Sequence, residues 1–456
     1  MNDLAMTQRT LRWGNLKYGY NCWEDELYDL SMDPHEARNL IGHSEGPVKE
    51  PVRRVQERGV GGKVFTGWKE GPIAWINLVS FLHGLGVFSS QTVLPVYMKD
   101  LGGTDFLVSL SMALFYLVRG LLTFFSGTFS DTSGRRGPIV LALALFSSAH
   151  VCYALSRTPT AILASIAVQA TAAGLYWPVV FALISGHSGP GESARNISKF
   201  LSALGIGGIA GSWLGGVVAD LFSPQITFWL GFAVLALACL AFWLFIPEDG
   251  SPGNGGRFRL GDIFSVSSEV RSLSLLAAGA TVVWVVFNVG MPLWLRGLGA
   301  SYTFIGGTRA AASGANLGVV ALAPFLVDRL GFRLSLSLYL LLCGLTMIGV
   351  NISSSLLLAA ALFSLFWGSS GMEVVGWTSS VERTSPEGKV GASMGMLRGL
   401  RDLFTLGYLL AFGILAQYWS MRGAFIFVAV VLTGLSGMVW VYLRPQKRRE
   451  LWRSSL

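Results

Sequence analysis

The sequence predicts an all-α membrane protein of twelve transmembrane helices arranged as two six-helix bundles. Three observations carry this reading. Apolar residues make up 52% of the chain and charged residues 13%, about half the charged share of a soluble domain. The mean hydropathy of +0.54 points the same way. Features of the first half also recur in the second at one fixed offset, as expected of repeats.

Apolar runs fall at 72–98, 106–129, 137–156, 160–185, 197–221 and 225–246. A second set falls at 271–296, 304–327, 333–351, 354–381, 389–417 and 422–444. Each is long enough to cross a bilayer as a helix. Pro247, Gly250, Pro252, Gly253, Gly255 and Gly256 mark a flexible linker between the sets. The expected organisation is a cytoplasmic segment 1–70, a bundle 71–247, a linker 248–270, a second bundle 271–445 and a basic tail 446–456.

The formal net charge is +8, but the basic residues sit in short loops and at the C-terminus, so no nucleic-acid partner is expected. One set of loops carries Arg135, Arg136, Arg195, Lys199, Arg257, Arg259, Arg329, Arg333, Arg383 and Lys389, whereas the alternate set holds Lys99, Arg157, Arg296 and Arg422. Positive loops remain in the cytoplasm, which puts both termini there, in a cell (inner) membrane. The chain opens on a polar, mixed-charge stretch rather than a secretory signal. Cys22, Cys152, Cys239 and Cys343 lack metal-ligand spacing, so neither a metal nor a cofactor is expected.

The repeat is specific in two places. Pro95, Lys99, Leu101 and Gly102 parallel Pro292, Arg296, Leu298 and Gly299, at 292 − 95 = 197. Asp131, Gly134 and Arg136 parallel Asp328, Gly331 and Arg333, at 328 − 131 = 197.

The loop after the second span reads Gly127-Thr128-Phe129-Ser130-Asp131-Thr132-Ser133-Gly134-Arg135-Arg136. It resembles the G-x-L-x-D-R-x-G-R-R signature of the major facilitator superfamily, departing at Phe129 and Thr132. The second copy, with Asp328, Arg329, Gly331 and Arg333, lacks the first Gly. The resemblance covers about residues 72–445. It implies two bundles related by a pseudo-two-fold axis that rock about a central cavity, with these loops as a cytoplasmic latch. The plainer alternative is that the arginines only set topology. The fifth span, Gly205-Ile206-Gly207-Gly208-Ile209-Ala210-Gly211-Ser212, is similar to an exporter-type glycine pattern, and close helix packing explains it equally. Ile166 stands where many proton-linked members carry Arg.

Ionisable residues inside spans are expensive and so mark function. The candidates for substrate binding or coupling are Arg119, Glu373, Arg398, Arg401 and Asp402, with His83, Gln91, Trp177 and Asn288 on helices that line the cavity in the family. Arg309 lies nearer the outer end of the eighth span, and His150 reads as a packed histidine. By the same analogy Arg119 faces the helix carrying Asp402. An ion pair is expected between Glu373, about eight residues from the end of span ten, and Arg398, about nine into span eleven. At 1.5 Å per residue both lie about 12–14 Å from the same face. The packing alternative is that such pairs only fix helix positions.

Residues 26–40, Glu26-Leu27-Tyr28-Asp29-Leu30 through Asp33-Pro34-His35-Glu36 to Asn39-Leu40, look like the C-terminal tail of a sulfatase. The nucleophile pentapeptide of such an enzyme is missing, so the segment reads as a fusion remnant or a small appended cytoplasmic module, without catalysis. The expected function is secondary active transport of a small organic solute by alternating access, coupled to a proton and leaning to efflux. Expected partners are the solute, the proton and the bilayer, with the chain a monomer. The alternatives are an anionic or sulfated solute and, in other classes, a sulfatase-related fusion or a non-transporting sensor.

Overall fold

The computed structural model describes residues 9–13, 16–20, 25–29, 71–189, 192–247, 266–385 and 390–442, without the side chains at 124–133 and at several positions between 374 and 392. Most of the linker 248–270 (to residue 265), the whole tail 446–456 and most of the sulfatase-like motif lie outside the described residues. Residue contacts divide the chain between Lys69 and Glu70. In the first unit, β1 (Arg9–Trp13), β2 (Leu16–Tyr20) and β3 (Asp25–Asp29) form an antiparallel sheet in the order β1-β2-β3. Leu11 faces Tyr18, and Tyr18 faces Leu27.

The second unit is helical. Its elements are α1 (Gly71–Asp100), α2 (Asp105–Ser133), α3 (Arg136–Leu155), α4 (Pro159–Gly186), α5 (Ser193–Leu221) and α6 (Pro224–Phe245). They are followed by α7 (Ser268–Gly297), α8 (Tyr302–Leu330), α9 (Phe332–Ile352), α10 (Leu356–Ser369 and Gly371–Thr384), α11 (Val390–Tyr418) and α12 (Met421–Tyr442). All twelve are long and apolar enough to cross a membrane, as the runs predict. Three details differ from the reading of the runs. α10 breaks at Ser370, it continues to Thr384 rather than 381, and α7 contains a π-helical turn at Val286–Gly290. The π turn inserts an extra residue into the helical repeat, which hydropathy does not register.

Packing repeats between the halves. α1 lies on α5, α2 on α4 and α3 on α6; α7 lies on α11, α8 on α10 and α9 on α12. The halves meet along α2–α11 and α5–α8.

The helix ends repeat too, and farther than the sequence signal suggested. Thr104 caps α2 by accepting from Leu107 N, and Ser301 caps α8 by accepting from Phe304 N. Thr158 does the same for α4 and Ser355 for α10. These pairs are also 197 apart: 301 − 104 and 355 − 158. Each hydroxyl satisfies a backbone N–H that the first helical turn leaves without a partner. Gly102 and Gly299 both have φ of 89°, and Gly134 and Gly331 have 77° and 80°, a region where a side chain is strained. A Cβ on Gly174 would meet the Arg119 carbonyl at 3.1 Å, and one on Gly371 would meet the Asn316 carbonyl at 2.7 Å. Both partners are again 197 apart, 371 − 174 and 316 − 119.

The glycines of α5 form a contact stripe. Gly207, Gly211 and Gly215 lie against the α1 backbone at Phe81, Leu85 and Ser89, one turn apart on each helix. Gly216 lies against Tyr302 of α8. Gly211→Ala is expected to lower the unfolding temperature in detergent, because overpacking costs about 1–3 kcal/mol and outweighs the gain of about 1 kcal/mol in helix propensity. Gly434→Ala, where an added Cβ has nothing within 4 Å, is expected to be neutral or stabilising. Equal melting of both variants in a thermal unfolding assay would remove the steric argument.

Candidate functional site

A cavity of about 450 Å³ lies where α1, α2, α4, α5, α7, α8 and α10 converge. His83 and Gln91 of α1, Trp177 of α4, Asn288 of α7, Arg119 of α2 and Glu373 of α10 all line it. A second cavity of about 470 Å³ shares Tyr116, Arg119, Trp177 and Trp284 with the first and adds Arg398, Arg401 and Asp402. All nine residues expected to bind or couple therefore line one or other of two cavities with a shared wall. The second cavity reaches Thr123 and Arg398, which are exposed.

Two charge pairs stand in this space. Arg119 Nη2 lies 2.6 Å from Asp402 Oδ1, joining α2 of one half to α11 of the other. Its guanidinium sits 4.6 Å from the Tyr116 ring centroid, where the aromatic face favours a cation. The Glu373 carboxylate, almost fully buried, pairs with Arg401. This corrects the expected partner, Arg398, by one helical turn. The reason is the length of α10. Glu373 lies 384 − 373 = 11 residues before its end, and Arg401 lies 401 − 390 = 11 residues after the start of α11. Equal depth in an antiparallel pair selects Arg401, while Arg398 stands nearer the helix start and is exposed.

Arg309, placed by the sequence only nearer the outer end of the eighth span, also lines the cavity, and Asn316, Trp284, Phe287 and Trp367 escaped the sequence reading of the site. Asn316 carried a signal, its offset of 197 from Arg119. Gln91 and Asn288 share that offset. The π turn of α7 explains how Phe287 and Asn288 come to act. Met291 N donates to Val286 O, so Phe287 O has as its next partner in the turn Pro292, which has no N–H. Arg309 Nη1 donates to that carbonyl at 3.3 Å, and Nη2 donates to Asn288 Oδ1 at 2.8 Å. Asn288 is itself held by donating Nδ2 to Trp284 O at 2.9 Å. His83 is buried between Phe146 and Tyr176, and among the described residues neither ring nitrogen has a partner. His150 is packed as expected, its Nδ1 2.7 Å from Phe146 O.

At the end of the bundle away from Thr123, polar contacts join the two halves. Tyr302 Oη donates to Asp100 Oδ2 at 2.6 Å, and Arg296 Nη2 approaches the same oxygen at 3.5 Å. Asp220, at the end of α5, accepts from Tyr302 N at 3.0 Å and Thr303 N at 2.6 Å. A carboxylate there caps the positive N-terminus of α8 across the interface.

The loop motif lies at the opposite end. Arg135 Nη1 donates to Ala182 O of α4 at 2.8 Å, and Arg136 Nη2 donates to Trp243 O of α6. Both carbonyls are near helix C-termini, where cations are favoured. In the second copy, Arg329 stacks on Phe325 at 4.3 Å and Arg333 on Trp440 at 4.0 Å, while Asp328 is exposed. Gly127 and Asp131 fall in the last turns of α2, and the Asp131 side chain lies outside the described residues.

A sequence model described as the Major Facilitator Superfamily matches residues 76–405. The chain is 32% identical over 162 residues to the quinolone resistance protein NorA of Staphylococcus aureus, a match covering 36% of this chain and 41% of that protein. It is 27% identical over 236 residues to the MFS-type transporter gkaD of Penicillium citrinum, covering 50% and 40%. The chain thus spans about two-fifths of the length of these curated relatives. Two similar solved structures are a POT family transporter in complex with 5-aminolevulinic acid (TM-score 0.69, 12% identity, 81% of this chain and 95% of that one) and a bacterial homologue of the human lysosomal transporter Spinster in an inward-facing, unoccupied conformation (0.68, 15%, 83% and 97%). At these identities the likeness is one of fold.

Glu373→Ala leaves the Arg401 charge without its partner and is expected to cost about 3–5 kcal/mol, whereas Arg398→Ala, at an exposed site, should cost under about 0.5 kcal/mol. Thermal unfolding in detergent measures both. A larger loss for Arg398→Ala would restore the partner first expected.

Proposed function

The chain belongs to the Major Facilitator Superfamily, and we propose that it is a secondary active transporter moving a small organic solute by alternating access. The observation that carries this reading is the space between the halves, into which the Arg119–Asp402 and Glu373–Arg401 pairs are built. A membrane chain that builds charges into a central cavity spends stability on them, and transport is the usual return. In this reading a pseudo-two-fold axis relates the halves, which rock about α2–α11 and α5–α8. The Asp100 and Asp220 contacts close the outer end. The end carrying Gly134 and Gly331 is cytoplasmic, as are both termini, and the chain works as a monomer in the cell membrane. Residues 1–70 are an appended, non-catalytic module.

Proton coupling follows from the charge pairs. Glu373 and Asp402 can each take up a proton, while arginine keeps its charge. Protonating Glu373 removes the charge that holds Arg401, leaving that guanidinium to turn towards the solute. The quinolone-resistance name of the Staphylococcus aureus relative and the glycine-rich α5 support efflux as the direction.

Reconstituted liposomes with an imposed pH gradient test this. The wild type should accumulate solute against its gradient. Glu373→Gln should lose pH-driven accumulation while keeping solute exchange. Full pH-driven accumulation by that variant would remove Glu373 from the coupling. Asp131→Asn should slow transport without reducing insertion, and a wild-type rate would dismiss the latch.

A further inference from the structure

Arg309 differs from the other cations of the cavity. Arg119 and Arg401 each face a carboxylate, and Arg398 is exposed. Arg309 is 1% exposed and lines the first cavity, yet among the described residues it pairs with no carboxylate. Its described acceptors are two neutral oxygens, Phe287 O and Asn288 Oδ1, and its Nε is buried without a partner. A guanidinium has five N–H donors, so three remain unclaimed. Such a charge stays ionised even when buried, and leaving it without a counter-charge costs several kcal/mol.

The surroundings of Arg309 are aromatic. Its guanidinium lies 4.4 Å from the Phe287 ring centroid. Phe287 stacks on Trp367 with centroids 3.8 Å apart and planes 5° from parallel, and Trp284 meets Trp367 edge-on at 4.8 Å. These rings are held from behind. Asn316 Nδ2 donates to Trp367 O at 3.0 Å, and Asn288 is tied to Trp284 O. The site therefore offers a fixed cation with free donors beside flat apolar faces.

We propose that Arg309 anchors the carboxylate of an aromatic organic acid, whose ring packs against the Trp284–Phe287–Trp367 cluster. This rests on the transport reading and names its solute class. The guanidinium fork matches a carboxylate in two parallel hydrogen bonds, and a solute bearing that group supplies the counter-charge that the described residues do not. The two carboxylates of the cavity are already matched to Arg401 and Arg119, so a cationic solute would have to displace an arginine to reach either one.

The test uses the purified full chain in detergent and three probes of one shape: 2-naphthoate, 2-naphthalenemethanol and 2-naphthylmethylamine. Equilibrium dialysis at pH 7.5 should give naphthoate the highest affinity and the amine the lowest. Arg309→Gln should weaken naphthoate at least tenfold, to the level of the alcohol, and leave the alcohol unchanged. Amine binding as tight as naphthoate in the wild type overturns the proposal, as does undiminished naphthoate binding by a monodisperse Arg309→Gln protein. If that variant does not fold, the wild-type order decides alone. A reversed order refutes the anion assignment and leaves the transport reading intact. Naphthoate binding without transport of any solute in liposomes refutes the transport reading and leaves the anion site intact.

Discussion

The hydrocarbon core of a bilayer holds no water to satisfy a backbone carbonyl or N–H, so every such group in a span needs a partner within the protein. Most of this structure follows from that demand. It makes each span a helix, and it puts Thr104, Thr158, Ser301 and Ser355 at helix starts, where four N–H groups would otherwise be bare. Where α7 departs from regular geometry, the demand falls on a side chain. Pro292 removes one donor, the π turn shifts another, and Arg309 reaches across from α8 to the Phe287 carbonyl. A backbone irregularity and a buried charge are thus two parts of one local solution.

The repeat and the chemistry follow different rules. Backbone features recur at an offset of 197: the φ values of Gly102 and Gly299, the hydroxyl caps, and the approach of Gly174 and Gly371 to α2 and α8. The cavity side chains mostly do not. Gln91 and Asn288 are an amide pair, but Arg309 corresponds to Met112 and Glu373 to Tyr176. Packing needs only small residues and caps at set places, so both halves keep them. A solute is not symmetric, and the residues that would recognise one have diverged between the halves.

This difference decides what could be read from the sequence. The twelve spans and their order were legible because hydropathy and the repeat encode them directly, whereas the junction of α2 with α11 was expected only from the family resemblance. The meeting of Arg119 and Asp402 was legible from which helices adjoin. Arg401 as the partner of Glu373 was not, since the choice between Arg398 and Arg401 turns on three residues of α10 that hydropathy does not delimit. The aromatic cluster was hidden for a different reason. Trp284, Phe287 and Trp367 sit among many apolar residues, and only the π turn and the break at Ser370 decide which of them face inward.

The seam between α5 and α8 brings bare backbone together at two points. Gly216 lies on the Tyr302 main chain and Gly306 on that of Ser212, with no side chain inserted between them. Surfaces joined in this way are smooth at atomic scale. At those two points no side chain interlocks, so parting them requires no rotamer change there. What holds that end is then concentrated in a few polar links at Asp100 and Asp220, and Asp100 is partly exposed to solvent. A joint of this kind behaves like a door with a plain edge and a catch: the edge sets where it closes, and the catch adds to how firmly.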